Sequence, residues 1–249
     1  MNRETSAMRK LFFFCSFVAA AAFSTTLSRA ATISVNFEGN NNAGAPTALN
    51  PTDSAGVAPF TAANWNNFSG NTGTSGVLND SSNVATPVTI TVVGQALFGS
   101  GTGTASADRK LLNGYVDSNT GTNTWTFQNV PAGLYTLISY ALPDNLDGRI
   151  SEYSVNGGTA YNLLSDGGAN FVANGFVRAT GTGSTYTSGN YVQFDNVSPI
   201  AGNITLTGTG VFRNYSNGIQ LVAVPEPASI LAIGVGGLGM MLIALRRRR

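Results

Sequence analysis

Apolar side chains in the middle of this chain recur every second residue, and that period restricts the fold more than any other feature. In "TISVNF" Ile33, Val35 and Phe37 share one face, in "VTITV" Val88, Ile90 and Val92 do the same, and in "TWTFQNV" Trp125 alternates with Phe127. Successive side chains of a strand point to opposite faces, so such runs predict half-buried strands rather than helices. Further strand candidates are "YTLISYAL", "ISEYSV", "NFVANGFVRA", "NYVQFDNV", "NITLTG" and "NGIQLVAV", divided by clusters of Gly, Asn, Ser and Pro. In "VNGGTAY" residues Asn156, Gly157 and Gly158 predict a hairpin turn, because positive φ is cheap there. Pro131 and Gly133 predict a turn that feeds a strand starting at Tyr135. About nine strands and no convincing helix predict an all-β fold, an antiparallel jelly-roll-like β-sandwich. A β-solenoid is the alternative, but no fixed repeat period supports it.

The two ends obey another rule. Arg9 and Lys10 precede an apolar run from Leu11 to Phe23, and small residues come next at Ser28 and Ala30. A basic start, a short apolar core and a small-residue site predict a signal peptide over 1–30, cut by signal peptidase before Ala31. Cys15 lies inside the apolar run behind the bulky Phe14, which disfavours lipoprotein processing. At the other end residues 228–245 carry no charge and only one polar side chain, Ser229. As a helix they would extend roughly 27 Å, enough to span a bilayer, so a transmembrane helix is predicted over 228–245. The basic tail of Arg246, Arg247, Arg248 and Arg249 would hold the far end in the cytoplasm. The exported domain is then 31–223 and the C-terminal signal 224–249.

Within 31–223 five basic residues face ten carboxylates, a net charge of about −5. Nothing there would neutralise phosphates, so no nucleic-acid partner is expected. The chain has no histidine and its one cysteine falls in the signal peptide. Ser-His-Asp triads, Cys-His dyads and Cys/His zinc sites are excluded on that basis, and no cofactor is expected. Gly-rich stretches such as "FGSGTGTAS" lack the strand-to-helix context and the Lys-Ser/Thr of a phosphate loop.

Carboxylate chemistry remains open. Asp144, Asp147 and Glu152 form the densest acidic group, "PDNLDGRISE". Three readings stand beside one another: a glycosidase pair, which needs two carboxyls roughly 5–9.5 Å apart, a calcium loop, or a solvated turn paired with Arg149. For sugars the candidate is Trp65, set between Asn64 and Asn66, since a pyranose face packs on a ring while amides hold its hydroxyls. The competing reading makes Trp65 a loop-anchoring core ring, as large aromatics are mostly buried. Tyr115, Tyr186 and Tyr215 are weaker candidates, and Trp125 is expected in the core.

Pro225, Glu226 and Pro227, together with the Gly-rich apolar span and the terminal arginines, resemble the PEP-CTERM sorting signal of Gram-negative bacteria that make exopolysaccharide. The resemblance implies that exosortase, a membrane cysteine transpeptidase, reads the tail and cleaves near Pro-Glu-Pro. The precursor would sit in the inner membrane and the mature protein at the cell surface or outside the cell. The prolines also have a direct physical effect: each fixes its own φ and biases the preceding residue towards extended geometry, so the segment stays open. "LLNGYVDS", "ANWNNFSG" and "NGIQLV" resemble ectodomains of such proteins, and the sandwich is similar to galactose-binding-like and other carbohydrate-binding folds. The expected function is that of an exported, non-enzymatic protein tied to the envelope or exopolysaccharide matrix, with a glycan-binding module and a carbohydrate-active enzyme as alternatives.

Overall fold

The computed structural model describes residues 31–39, 47–100, 102–118, 121–143, 148–210 and 213–225. The signal peptide, Asp144, Asp147, Glu226, Pro227, the 228–245 segment and the four terminal arginines lie outside these residues. No helix among the described residues is long and apolar enough to cross a membrane.

The described chain is mostly β. A five-stranded sheet runs in the order β12 (Tyr191–Val197), β8 (Tyr135–Tyr140), β15 (Gly218–Ala223), β1 (Thr32–Phe37), β2 (Asn66–Phe68). A seven-stranded sheet runs β11 (Thr187–Gly189), β10 (Tyr161–Ser165), β9 (Ile150–Val155), β13 (Ile204–Gly210), β7 (Gly121–Gln128), β4 (Thr89–Val93), β3 (Thr72–Thr74). A small third sheet joins β14 (Asn214–Ser216), β6 (Gly114–Ser118) and β5 (Ala96–Gly99). Pairing is antiparallel except for β1 with β2 and β10 with β11, which are parallel, so the purely antiparallel expectation is corrected at two sheet edges.

The two large sheets share one core. Ile33, Val35 and Phe37 of β1 and Leu137 of β8 meet Ile90, Trp125, Phe127 and Leu206 of the other sheet. Alternation along β7 places Asn123, Trp125 and Phe127 inward with the partly buried Thr124 and Thr126 between them, as the period-two reading requires.

The five-stranded sheet departs from the half-buried expectation, because every residue of β1 and β8 is buried. A second cluster covers its other face: Ile138 and Tyr140 of β8 pack with Trp65, Leu111, Leu112 and Phe171. The polar half of "TISVNF" therefore faces protein, not water, and most of its groups are paired, the Asn36 Oδ1 excepted. Gln220 Nε2 donates to Ser34 Oγ at 3.1 Å and to the Phe60 carbonyl at 2.9 Å. Asn36 Nδ2 donates to the Thr47 carbonyl at 2.8 Å. Buried polar groups persist where such bonds offset their lost hydration.

Two short helices correct the all-strand reading: α1 (Ala107–Leu111) and α2 (Gly167–Asn174). Ser106 caps α1 by accepting from the Arg109 N–H. Half of "NFVANGFVRA", expected as a strand, is the end of α2, which stops at Gly175 with φ 73°. Gly175 takes that conformation without the penalty a Cβ would bring, so the helix breaks before Phe176.

Candidate functional site

The first and last strands lie side by side. β1 and β15 pair antiparallel with Thr32 opposite Val222 and Asn36 opposite Gly218. The Ala223 N–H donates to the Ala31 carbonyl at 3.0 Å, and the Val224 N–H to the Leu134 carbonyl at 2.8 Å. The next residue, Pro225, is exposed and has no N–H to give. Hydrogen bonding to the sheet thus runs to Val224, the residue before Pro-Glu-Pro starts.

The same end of the domain carries an open cleft of about 490 Å³ between the edges of the two large sheets. Tyr161 of β10 and Phe194 of β12 meet at 5.0 Å between ring centroids and form its apolar floor. The β9–β10 hairpin walls one side. Asn156 (φ 53°) and Gly157 (φ 71°) make its turn, as the sequence predicts, and Asn156 Nδ2 donates to the Ser198 carbonyl at 3.0 Å across the cleft wall. Asp195, half exposed, supplies a carboxylate at the rim. It accepts from Gln193 Nε2 at 2.8 Å and Thr136 Oγ1 at 3.1 Å, with Arg178 at 3.7 Å. Chemically the cleft offers an aromatic floor and a polar rim with one carboxylate. A second hollow of about 270 Å³ lies over β9 and β13, with Glu152 and Tyr186 among its lining residues.

Trp65 is 5% exposed, its Nε1 donates to the Ala62 carbonyl at 2.9 Å, and its ring lies 6.0 Å from that of Tyr140. A buried ring has no face to offer a pyranose, so the core alternative replaces the platform alternative. Asn64 Nδ2 donates to the Ser81 carbonyl. Asn66 is spent on Ser34, Asn79 and the Asn79 N–H. Asn64 thus ties its loop to the turn at Ser81, and Asn66 ties β2 to β1 and to Asn79, so both amides are engaged within the protein. Tyr115 and Tyr215 are buried as well, and burial pushes the Tyr215 hydroxyl well above the ordinary tyrosine range.

Glu152 stands exposed on β9 opposite Asn162 and Thr209. Among the described residues no group of three metal-ligating side chains occurs. Trp125 is fully buried, as expected. Sequence reasoning does not single out the cleft residues Tyr161, Phe194 and Asp195. Tyr161 and Phe194 come from different sheets, and only the hairpin motif next to them marks the place.

A partly buried polar cluster braces the loop over the second core. Asp108 of α1 accepts from the Gly56 N–H at 2.8 Å, and burial raises its carboxyl above the usual range. Tyr140 accepts from the Val57 N–H at 3.0 Å and donates to Gln220. Its hydroxyl is pushed well up by burial. Lys110 pairs with Asp53 at 2.8 Å, which holds the Asp53 carboxyl below its ordinary value. These contacts fix a loop.

The end of β15 settles what the tail is. Residues 223–249 match the PEP-CTERM protein-sorting motif. The match starts on Ala223, the last residue of β15, so the sorting signal begins as the sheet ends. A PEP-CTERM signal marks export and a membrane-anchored precursor recognised by exosortase. Comparison with curated proteins gives no match. Among solved structures the chain is similar to a Bacteroides uniformis β-glucuronidase at 13% identity and TM-score 0.44, over 78% of this chain and 18% of that one. It is also similar to CBM35 from Cellvibrio japonicus at 17% identity and TM-score 0.28, over 45% of this chain and 75% of the module. An exo-β-1,3-galactanase from Phanerochaete chrysosporium gives 17% identity and TM-score 0.25, over 44% of this chain and 23% of that one. The chain thus spans under a fifth of the length of the glucuronidase.

Proposed function

We propose that the protein is exported, released from its membrane-anchored precursor by exosortase, and works without catalysis at the cell surface or in the extracellular matrix, associated with exopolysaccharide. One observation carries this reading: a PEP-CTERM signal abuts the final strand of a well-packed β domain. Signal peptidase acts before Ala31, one residue ahead of β1, and exosortase acts just beyond β15, so both cuts spare the sheet. A jelly-roll-like sandwich with 228–245 as the temporary anchor belongs to the same reading. Support for the non-enzymatic part comes from a chain without histidine, and from the hollow over β9 and β13 and the Tyr161–Phe194 cleft, each of which has a single carboxylate among its lining residues.

Mass spectrometry of the mature protein from hosts with and without exosortase tests the proposal. Loss of 228–249 only in the exosortase-positive host is the expected result. Released protein that keeps this segment there means an ordinary anchor. A glycan-binding role is favoured by one feature of its own, the Tyr161–Phe194 floor beside Asp195, in a hollow of the size that holds a small ligand. On a glycan array Tyr161→Ala should then abolish binding that Trp65→Phe retains.

A further inference from the structure

Seven large apolar side chains are exposed among the described residues, and four of them, Val77, Val84, Leu134 and Ile200, stand at one end of the domain. Backbone hydrogen bonds tie their loops to one another and to the strand ends beside Val224. The Val224 N–H donates to the Leu134 carbonyl, and the Ser81 N–H to the Thr32 carbonyl. The Val130 N–H donates to the Gly202 carbonyl, and Ile200 pairs with Asn203. Val84 closes the turn begun at Asp80, and Val77 precedes Leu78, which bonds Val88 at the start of β4. Single exposed hydrophobic residues are ordinary. Four on adjoining loops around a chain exit are not scatter.

Charge points the same way. Loops 76–88, 129–134, 156–160 and 198–203 contain one ionisable side chain, Asp80. Its carboxylate is turned back to accept from the Ser82 and Val84 N–H groups. The reach of the tail then selects the occupant. Only Glu226 and Pro227 separate the exposed Pro225 from the uncharged 228–245 run. Three extended steps cover about 10 Å at most. A domain held that close to the hydrocarbon boundary has this end against the headgroups.

We propose that this end of the domain docks on the lipid surface in the precursor, with Val77, Val84, Leu134 and Ile200 entering the interface. The proposal rests on the reading of 228–245 as the membrane anchor. Docking would hold the exit point and its Pro-Glu-Pro at a fixed height above the bilayer, the condition under which a membrane protease meets the same bond in each copy. It would also turn the cleft mouth, which includes Ile200, towards the membrane until release.

The test uses the full chain with Cys15→Ser, reconstituted in phosphatidylethanolamine and phosphatidylglycerol vesicles. Single fluorophores are placed at Val84→Cys, Leu134→Cys and Ile200→Cys, with Val93→Cys and Val172→Cys as controls at the far end of β4 and on α2. Quenching by lipid-borne nitroxide at the first three sites should exceed that at the controls at least threefold. Equal quenching in protein that floats with the vesicles overturns docking and leaves the anchor standing. Protein that does not float overturns the anchor, and docking with it. Quenching or shielding that appears only when exosortase is co-reconstituted assigns the surface to a protein partner and overturns the lipid proposal.

Discussion

Single side chains hold this molecule together by occupying places where no other group would fit. Asn217 is one: its Nδ2 donates to the carbonyls of Leu112, Gly114 and Leu142, and its Oδ1 accepts from the Leu142 N–H. Removing it takes partners from buried backbone groups on two segments, 112–114 and Leu142, so Asn217→Ala should cost about 3 kcal/mol in urea unfolding. A loss under about 1 kcal/mol would show that water replaces the amide. Trp65→Ala should likewise cost about 3–5 kcal/mol, comparable with Trp125→Ala, since both rings are buried. Asp108 tests electrostatics. Burial raises its folded pKa above 3.8, so the folded state binds the proton more tightly than the unfolded one, and stability rises as pH falls from neutral through the folded value. Asp166 acts in the same direction. Asp53 acts oppositely: Lys110 lowers its pKa, and its contribution is present above 3.8 and lost as pH falls through its folded value. Asp108→Asn keeps an oxygen for the Gly56 N–H and deletes the half-buried charge. It should change stability at pH 7 by within about 1 kcal/mol and flatten the urea midpoint between pH 7 and pH 4. An unchanged slope refutes the assignment.

At the scale of elements, legibility tracks hydrophobic alternation. "TISVNF" and "ISEYSV" are β1 and β9 with the bounds read from sequence, and "YTLISYAL" and "NGIQLVAV" contain β8 and β15 within two residues. The strands that sequence does not reveal are short or held in place by tertiary contacts. β6, "GYVDS", has no alternation to show because all five residues are buried, and β14, "NYS", exists through its pairing with β6. α2 escapes a sequence reading because Phe171 and Phe176 look like the two ends of one strand, whereas Gly175 parts the helix from Phe176. The cleft is least legible, since its floor joins side chains from two sheets that share no local motif. Glycine shows the other limit. A Cβ on Gly114 would lie 2.3 Å from both the Gly39 nitrogen and the Phe37 carbonyl oxygen. Backbone meets backbone there, so nothing can rotate away. Gly114→Ala should separate β6 from the end of β1 and cost roughly 2 kcal/mol or more by thermal melting. A wild-type melting temperature would mean that the third sheet shifts freely.

For the whole molecule the decisive fact is that its last strand is central. β15 lies between β8 and β1, with six registered pairs on one side and five on the other, and it buries Ile219 and Leu221 in the main core. Until residues 218–223 are available, β1 and β8 each lack a partner, and the core lacks one wall. The longest-range contacts close last, because ordering the intervening loop precedes any gain from the contact. A chain exported N-terminus first would then complete the sheet only when β15 has emerged, just ahead of the apolar run at 228–245. Processing beyond Val224 removes nothing that the sheet uses, whereas a cut a few residues earlier removes a wall of the core. Protein spanning 31–224 should therefore unfold in one cooperative thermal transition, and protein spanning 31–217 should show none, with near-ultraviolet circular dichroism lost at all temperatures. A cooperative transition in the shorter chain would mean that β8 and β1 can pair without β15. The final strand would then be an accessory to the fold, and the timing of export would not govern it.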